Sequence, residues 1–200
     1  PTKTPAQNAQ RYFNEYRKAD NAKKVLVDLI SEGEAEYEYI DSVFDALTRA
    51  KTEAELNQIR EELVLAGYAK AKSRKYKKPE KVVHHKFKSS DGFTILVGRN
   101  NIQNDKLSLK TASKSDIWFH IQKAPGSHVV LSLEGRQATE KAMEFAAKTA
   151  AYYSSGREAG AVEVDYTQVR NLKKPAGAKP GFVIYHVYNS VLAKPENPEK

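Results

Sequence analysis

In the first fifty residues the apolar side chains recur at alternating spacings of four and three. Tyr12, Tyr16, Ala19, Lys23, Leu26, Ile30, Gly33, Tyr37, Ile40, Phe44 and Leu47 trace the seam of a heptad helix, with Lys23 and Gly33 as its two imperfections. Gly33 is an expected kink or break, since glycine in a helix costs up to about 1 kcal/mol against Ala. Thr4-Pro5-Ala6-Gln7 supplies a cap hydroxyl, a proline at the first helical position and a Gln three residues on, which together open this helix. Thr52-Glu-Ala-Glu55 is a second capping box, and Leu56, Ile59, Leu63 and Ala66 carry a shorter helix as far as Gly67. The long seam outruns the short helix that can fold back on it. Its remaining partner is expected to be upstream sequence or a second copy of the chain. The alternative is an ordinary amphipathic hairpin packed on the domain that follows.

Beyond residue 81 the period changes from that of a helix to that of a sheet. Phe93–Val97, Ile117–Ile121, Ser127–Leu131, Val162–Tyr166 and Phe182–Val187 are rich in β-branched and aromatic residues and predict strands. Asp91-Gly92 predicts a hairpin that pairs the first of them with His85–Lys88. Asn101–Lys110 predicts a helix, as does Thr139–Tyr153, which closes towards Gly156. The fold class expected is α+β: a helical coiled-coil arm, then a compact domain with a mostly antiparallel sheet and two helices.

Charge divides the chain into three segments. Residues 1–69 hold 9 basic and 13 acidic side chains, 70–81 hold 7 and 1, and 82–200 hold 17 and 11. The middle segment has almost no apolar material and contains Pro79, so it predicts a solvated basic linker between an arm at 1–69 and a domain at 82–200. The net charge of +8 favours an acidic partner, nucleic acid among them, without selecting one. No apolar run approaches the ~20 residues of a membrane helix, and the first ten residues lack the core of a signal peptide. A soluble protein is expected. The chain begins at Pro1 rather than Met, which points to a piece of a longer protein. Without cysteine, disulfides and thiolate metal sites are excluded.

Candidate chemistry concentrates between Gly98 and His128. A period of two places Ile117, Phe119 and Ile121 on one face of a strand and Asp116, Trp118 and His120 on the other. The second set suits stacking on a base, or a Trp half-buried under a helix with His120 hydrogen-bonded to Asp116. Ala124-Pro-Gly-Ser-His128 is a tight turn, which puts Ser127 and His128 at a rim where backbone N–H groups can face an anion. Gly98-Arg-Asn-Asn101 lies where a helix start can accept phosphate, with Arg99 adding donors, although Asn101 can equally be a cap. No Gly-x-Ser-x-Gly elbow accompanies the Ser-His pair, and the histidines at 84, 85, 120, 128 and 186 include no pair at helical metal spacing. No enzyme activity, cofactor or metal is therefore expected.

Phe93-Thr-Ile-Leu-Val-Gly-Arg-Asn-Asn-Ile-Gln-Asn-Asp105, Asp116-Ile-Trp-Phe-His120, Pro125-Gly-Ser-His-Val129, Val164-Asp-Tyr-Thr167 and Lys173-Lys-Pro-Ala-Gly-Ala-Lys-Pro-Gly181 closely resemble the C-terminal NFACT-R domain of the RqcH family, also called fibronectin-binding protein A-like proteins. Asn8-Ala-Gln-Arg-Tyr-Phe13 is similar to the start of that family's middle coiled-coil region. The spelling resembles that of Gram-positive cocci such as streptococci.

The resemblance implies part of a cytoplasmic, ribosome-associated quality-control factor. Such factors bind large ribosomal subunits carrying stalled peptidyl-tRNA and support alanine tailing of nascent chains. This part would supply contacts to rRNA and tRNA through Lys72, Arg74, Lys75, Lys77 and Lys78 of the linker. Arg99, Asn101, Asp116, Trp118, His120, Ser127 and His128 would add a patch on one face of the sheet. The alternative that the resemblance carries is a fibronectin-binding adhesin for host attachment, surface-exposed without a conventional signal.

Overall fold

The computed structural model describes residues 2–70 and 83–199. By internal contacts they form two compact units, 1–40 and 41–200, so the division falls inside the expected arm.

Helix α1 runs without interruption over Pro5–Arg49. Its start is closed as the sequence predicts, Gln7 N donating to Thr4 Oγ1 at 3.3 Å and Thr4 N to Gln7 Oε1 at 2.9 Å. Gly33 does not break it. A Cβ there would meet no atom within 4 Å, and the surrounding good helix formers carry the helix through. In the first unit the seam faces outward: Tyr12, Tyr16, Leu26, Ile30 and Tyr37 are all exposed.

The second unit begins with the end of α1, where Val43, Asp45 and Ala46 are buried while Phe44 and Leu47 of the seam are exposed. Helix α2 (Glu53–Leu65) opens on the predicted capping box, Thr52 with Glu55. Its buried residues are Glu55, Ile59 and Glu62, with Leu56 exposed. The face expected from Leu56, Ile59, Leu63 and Ala66 is therefore rotated, because the surface that α2 meets is polar.

Six antiparallel strands follow: β1 (His85–Lys88), β2 (Thr94–Val97), β3 (Ile117–Ile121), β4 (Val129–Ser132), β5 (Val162–Gln168) and β6 (Asn189–Ala193), in the spatial order β1-β2-β4-β3-β5-β6. The predicted hairpin pairs His85 with Val97 and Lys88 with Thr94. The α+β class stands. The strand expected at Phe182–Val187 does not form; this stretch makes one isolated bridge, Ile184 with Lys173, and crosses over the sheet instead. The sixth strand comes later, in a stretch whose side chains are exposed up to Ala193 and so carry no alternation.

Each face of the sheet carries its own core. On one, Ile95, Val97, Phe119, Val129, Leu131 and Val164 pack against Ala142, Ala146, Ala147 and Ala150 of α4 (Glu140–Tyr152), whose small side chains let the helix approach closely. On the other, Leu96, Val130 and Trp118 are covered by Leu107, Val169, Leu172, Val183 and Tyr185. The cover consists of α3 (Asn101–Lys106), the π-helical turn Leu107–Thr111 that continues it, and the segment 169–185.

Candidate nucleic-acid interface

The turn between β2 and α3 is built from polar side chains that bind α2 and the last turns of α1. Asn100, not Asn101, caps α3, its Oδ1 accepting from Gln103 N at 2.9 Å. Asn100 Nδ2 and Gln103 Nε2 both donate to Gln58 Oε1, at 2.9 and 2.8 Å. Asn101 is buried and donates to Ser42 Oγ at 2.8 Å and Glu62 Oε1 at 3.0 Å. Arg99 pairs with Glu55. An anion at this helix start would meet the carboxylates of Glu55 and Glu62, so the expected phosphate cradle is instead the seat of α2.

Ser127 and His128 belong to the same junction. Ser127 is buried, donates to the Gly98 carbonyl at 2.5 Å and accepts from Arg49 Nη1 at 2.9 Å. Its backbone N–H is spent on Tyr153 O at 2.8 Å, and that of His128 on Asn104 Oδ1 at 3.1 Å. Neither N–H faces an incoming anion. Gly98 is required here, because a Cβ would overlap Asn104 Oδ1. Arg49 also pairs with Asp45 at 2.6 Å, yet burial outweighs that partner and holds the Asp45 carboxyl above its ordinary range.

Trp118, His120 and His128 do converge, but inside the second core. The Trp118 ring lies 5.5 Å from His120 in a stacked arrangement, 5.1 Å from His128 edge-on and 5.0 Å from Tyr185. At 1% exposure it offers no open face to a base, which removes the stacking role expected for it. Asp116 is buried too and accepts from Ser113 N at 2.8 Å and Leu133 N at 2.9 Å, rather than from His120. Burial lowers the pKa of both histidines; that of His128 falls well below the ordinary value, with the neighbouring His120 adding to the effect. His128 Nδ1 lies 2.8 Å from Ser108 Oγ. Lys72, Arg74, Lys75, Lys77 and Lys78 lie outside the described residues.

Outside this core lies a basic layer that motif reasoning missed. Cross-strand register puts Lys86 in one row with Leu96, Val130 and Trp118, on the face that α3 and 169–185 cover. Lys106, Lys110, Arg170 and Lys173 on that cover and Lys114 just beyond its first half are all exposed, and Arg170 N donates to Lys114 O at 3.1 Å, joining the two stretches. Residues 99–116 hold four basic and two acidic side chains, and 169–188 hold four and none. Both acids are engaged, Asp105 with Lys174 and Asp116 as above. Around α4, by contrast, residues 134–163 hold four basic and five acidic side chains. The available signal was the stretch 166–195, with five basic residues and no acidic one. Among the described residues no cluster of three or more His, Asp or Glu could hold a metal ion, and no helix is long and apolar enough to cross a membrane.

Residues 81–186 match the NFACT protein RNA binding domain, and residues 1–82 match the model of the NFACT N-terminal and middle domains. The chain belongs to the NFACT family. The Rqc2 homolog RqcH of Bacillus subtilis is 41% identical over 98% of this NFACT chain, and that of Streptococcus pneumoniae 43% identical over 97%. The chain spans 34% and 35% of the length of these two relatives. Coiled-coil domain-containing protein 25 of Mus musculus is 32% identical over about half of each chain. The solved C-terminal part of the fibronectin/fibrinogen-binding protein from Streptococcus suis superposes with a TM-score of 0.88 at 40% identity, covering 98% of this chain and 78% of that one.

Proposed function

We propose that this chain is the RNA-contacting C-terminal part of a ribosome-associated quality-control factor of the cytoplasm. The basic layer over the Trp118 face carries the reading, because it gathers exposed cations on one side of a module whose family model is an RNA-binding domain. The RqcH relatives support a ribosome quality-control role with RNA binding, and our reading extends that role to binding of stalled large ribosomal subunits and tRNA and to support of alanine tailing. The chain performs no reaction of its own in this scheme. It supplies phosphate contacts from Lys106, Lys110, Lys114 and Arg170, with the linker cations Lys72, Arg74, Lys75, Lys77 and Lys78 adding to them.

The test is titration of the full chain against large subunits, tRNA and fibronectin at two salt concentrations. Binding to subunits and tRNA is expected to weaken steeply with salt. The combined variant Lys110→Ala, Lys114→Ala, Arg170→Ala should lower the slope of log affinity against log salt by about 2, at about 0.7 to 0.9 per phosphate contact. An unchanged slope would exclude this face as the interface, and tight binding to fibronectin alone would overturn the RNA reading.

A further inference from the structure

Two aromatic rings stand exposed on the basic layer. Phe182 is 43% and Tyr188 47% exposed, at either end of the segment that crosses the sheet over Trp118. The segment that carries them is tied to this layer by the Ile184–Lys173 bridge. The Phe182 N–H bonds to Lys179 O at 3.3 Å, while Tyr188 rests edge-on against Tyr185, ring centroids 5.3 Å apart, and Tyr185 is fixed by its hydroxyl donating to Asp165 Oδ2 at 2.9 Å. Between them the Lys173–Ile184 bridge brings Lys173 against the same segment. The arrangement is aromatic, cation, aromatic along one strip.

We infer that this strip takes single-stranded RNA, with Phe182 and Tyr188 each receiving an unpaired base and the neighbouring cations the phosphates between. The inference rests on the RNA reading above and narrows it. A duplex hides the faces of its bases in the stack and presents phosphates and 2′-hydroxyls, so exposed rings would gain nothing from it, whereas every unpaired base has a face to stack. The cations alone would serve either form. The aromatic pair is what selects.

The experiment compares binding of the full chain to an unstructured single-stranded RNA of about 12 nucleotides, a length within the range of single-strand sites, and to a duplex of the same length, at one salt concentration. Phe182→Ala and Tyr188→Ala should each weaken single-strand binding about tenfold and leave duplex binding within about twofold, as loss of one stacked base predicts. Tyr188→Phe keeps the ring, and with it the edge-on contact to Tyr185, and should retain the affinity, which assigns the effect to the ring rather than the hydroxyl; duplex binding left intact in Tyr188→Ala is what excludes damage spread through Tyr185. Lys110→Ala with Lys114→Ala should weaken both forms alike. If the charge variant acts and the ring variants do not, or if the duplex binds as tightly as the single strand, the single-strand inference fails while the RNA reading stands. If neither kind of variant acts, both fail.

Discussion

Glu55 and Arg99 form an ion pair across 44 residues of chain, between the first turn of α2 and the turn that follows β2. The same carboxylate accepts from Lys51 N at 2.8 Å and Thr52 N at 3.0 Å, so one side chain both caps α2 and seats it on the sheet domain. Burial raises its pKa, but the N–H of Lys51, the hydrogen bond and charge of Arg99 and the N–H of Thr52 together bring it below the usual range. Glu55→Gln should cost about 2 to 3 kcal/mol of unfolding free energy, since charged hydrogen bonds and the cap are lost together. A group with a lowered folded pKa stabilises above its unfolded value, and that stabilisation disappears as pH falls through the folded one. The gap in denaturant midpoint between the native chain and the variant should therefore close below about pH 4. A gap independent of pH would show that the charge of Glu55 is not what holds α2.

Trp118 is the residue on which sequence reading and structure part most clearly. With 1% exposure and Leu107, Val130, Val169 and Leu172 around it, truncation removes a core ring rather than a contact surface. Trp118→Ala should cost about 3 to 5 kcal/mol of stability. RNA affinity, measured at a temperature where the variant is still folded, should remain near that of the native chain. Lost affinity with the melting transition unchanged would reinstate Trp118 as a contact residue.

Local rules carried most of the fold. The capping boxes at Thr4 and Thr52, the hairpin at Asp91-Gly92 and the division of Ile117 and Phe119 from Trp118 between the two faces of β3 all depend on neighbours within a few residues, and all appear as expected. Alternation says which residues share a face, however, and not what covers that face. Asp116, Trp118 and His120 share one, but much of its cover comes from residues 169–185, which begin about 50 positions further on. Arg99, Asn101, Ser127 and His128 were legible as a cluster with something to bind, and α2 is what they bind. The buried Glu55 and Glu62 look like surface charges in sequence until the polar turn they meet is known. The basic layer escaped because its cations come from three separate stretches that only the folded domain brings together.

His85 packs against both Phe87 and Tyr153, with ring centroids 5.8 and 5.1 Å away. Burial pushes its pKa down to about 4, and Arg99, Arg49 and Lys51 press in the same direction against the opposing charge of Glu55. The unfolded ring binds a proton near pH 6.5 while the folded one stays neutral, so stability is complete above about 6.5 and falls as pH drops towards 4. His84, His120 and His128 are lowered as well and add to the same slope. His85→Phe should flatten the dependence in part, and NMR of the native chain should find the His85 ring neutral at about pH 5.5. A His85 titration near 6.5 would mean that the ring is open to water.

In the first unit, Leu26, Ile30 and Tyr37 are 56%, 58% and 72% exposed on one stripe of a continuous helix. Residues this open contribute little to the stability of the unit that carries them, so Leu26→Glu and Ile30→Glu should each change the unfolding free energy by less than about 0.5 kcal/mol. The same stripe buries its apolar area only by meeting another surface of like pattern, which makes association of the chain depend on concentration. Light scattering across a concentration series should show the native chain growing in mass and the double variant staying monomeric. Equal behaviour of the two, or a large loss of stability in the variant, would show that this stripe is not the surface through which the chain associates.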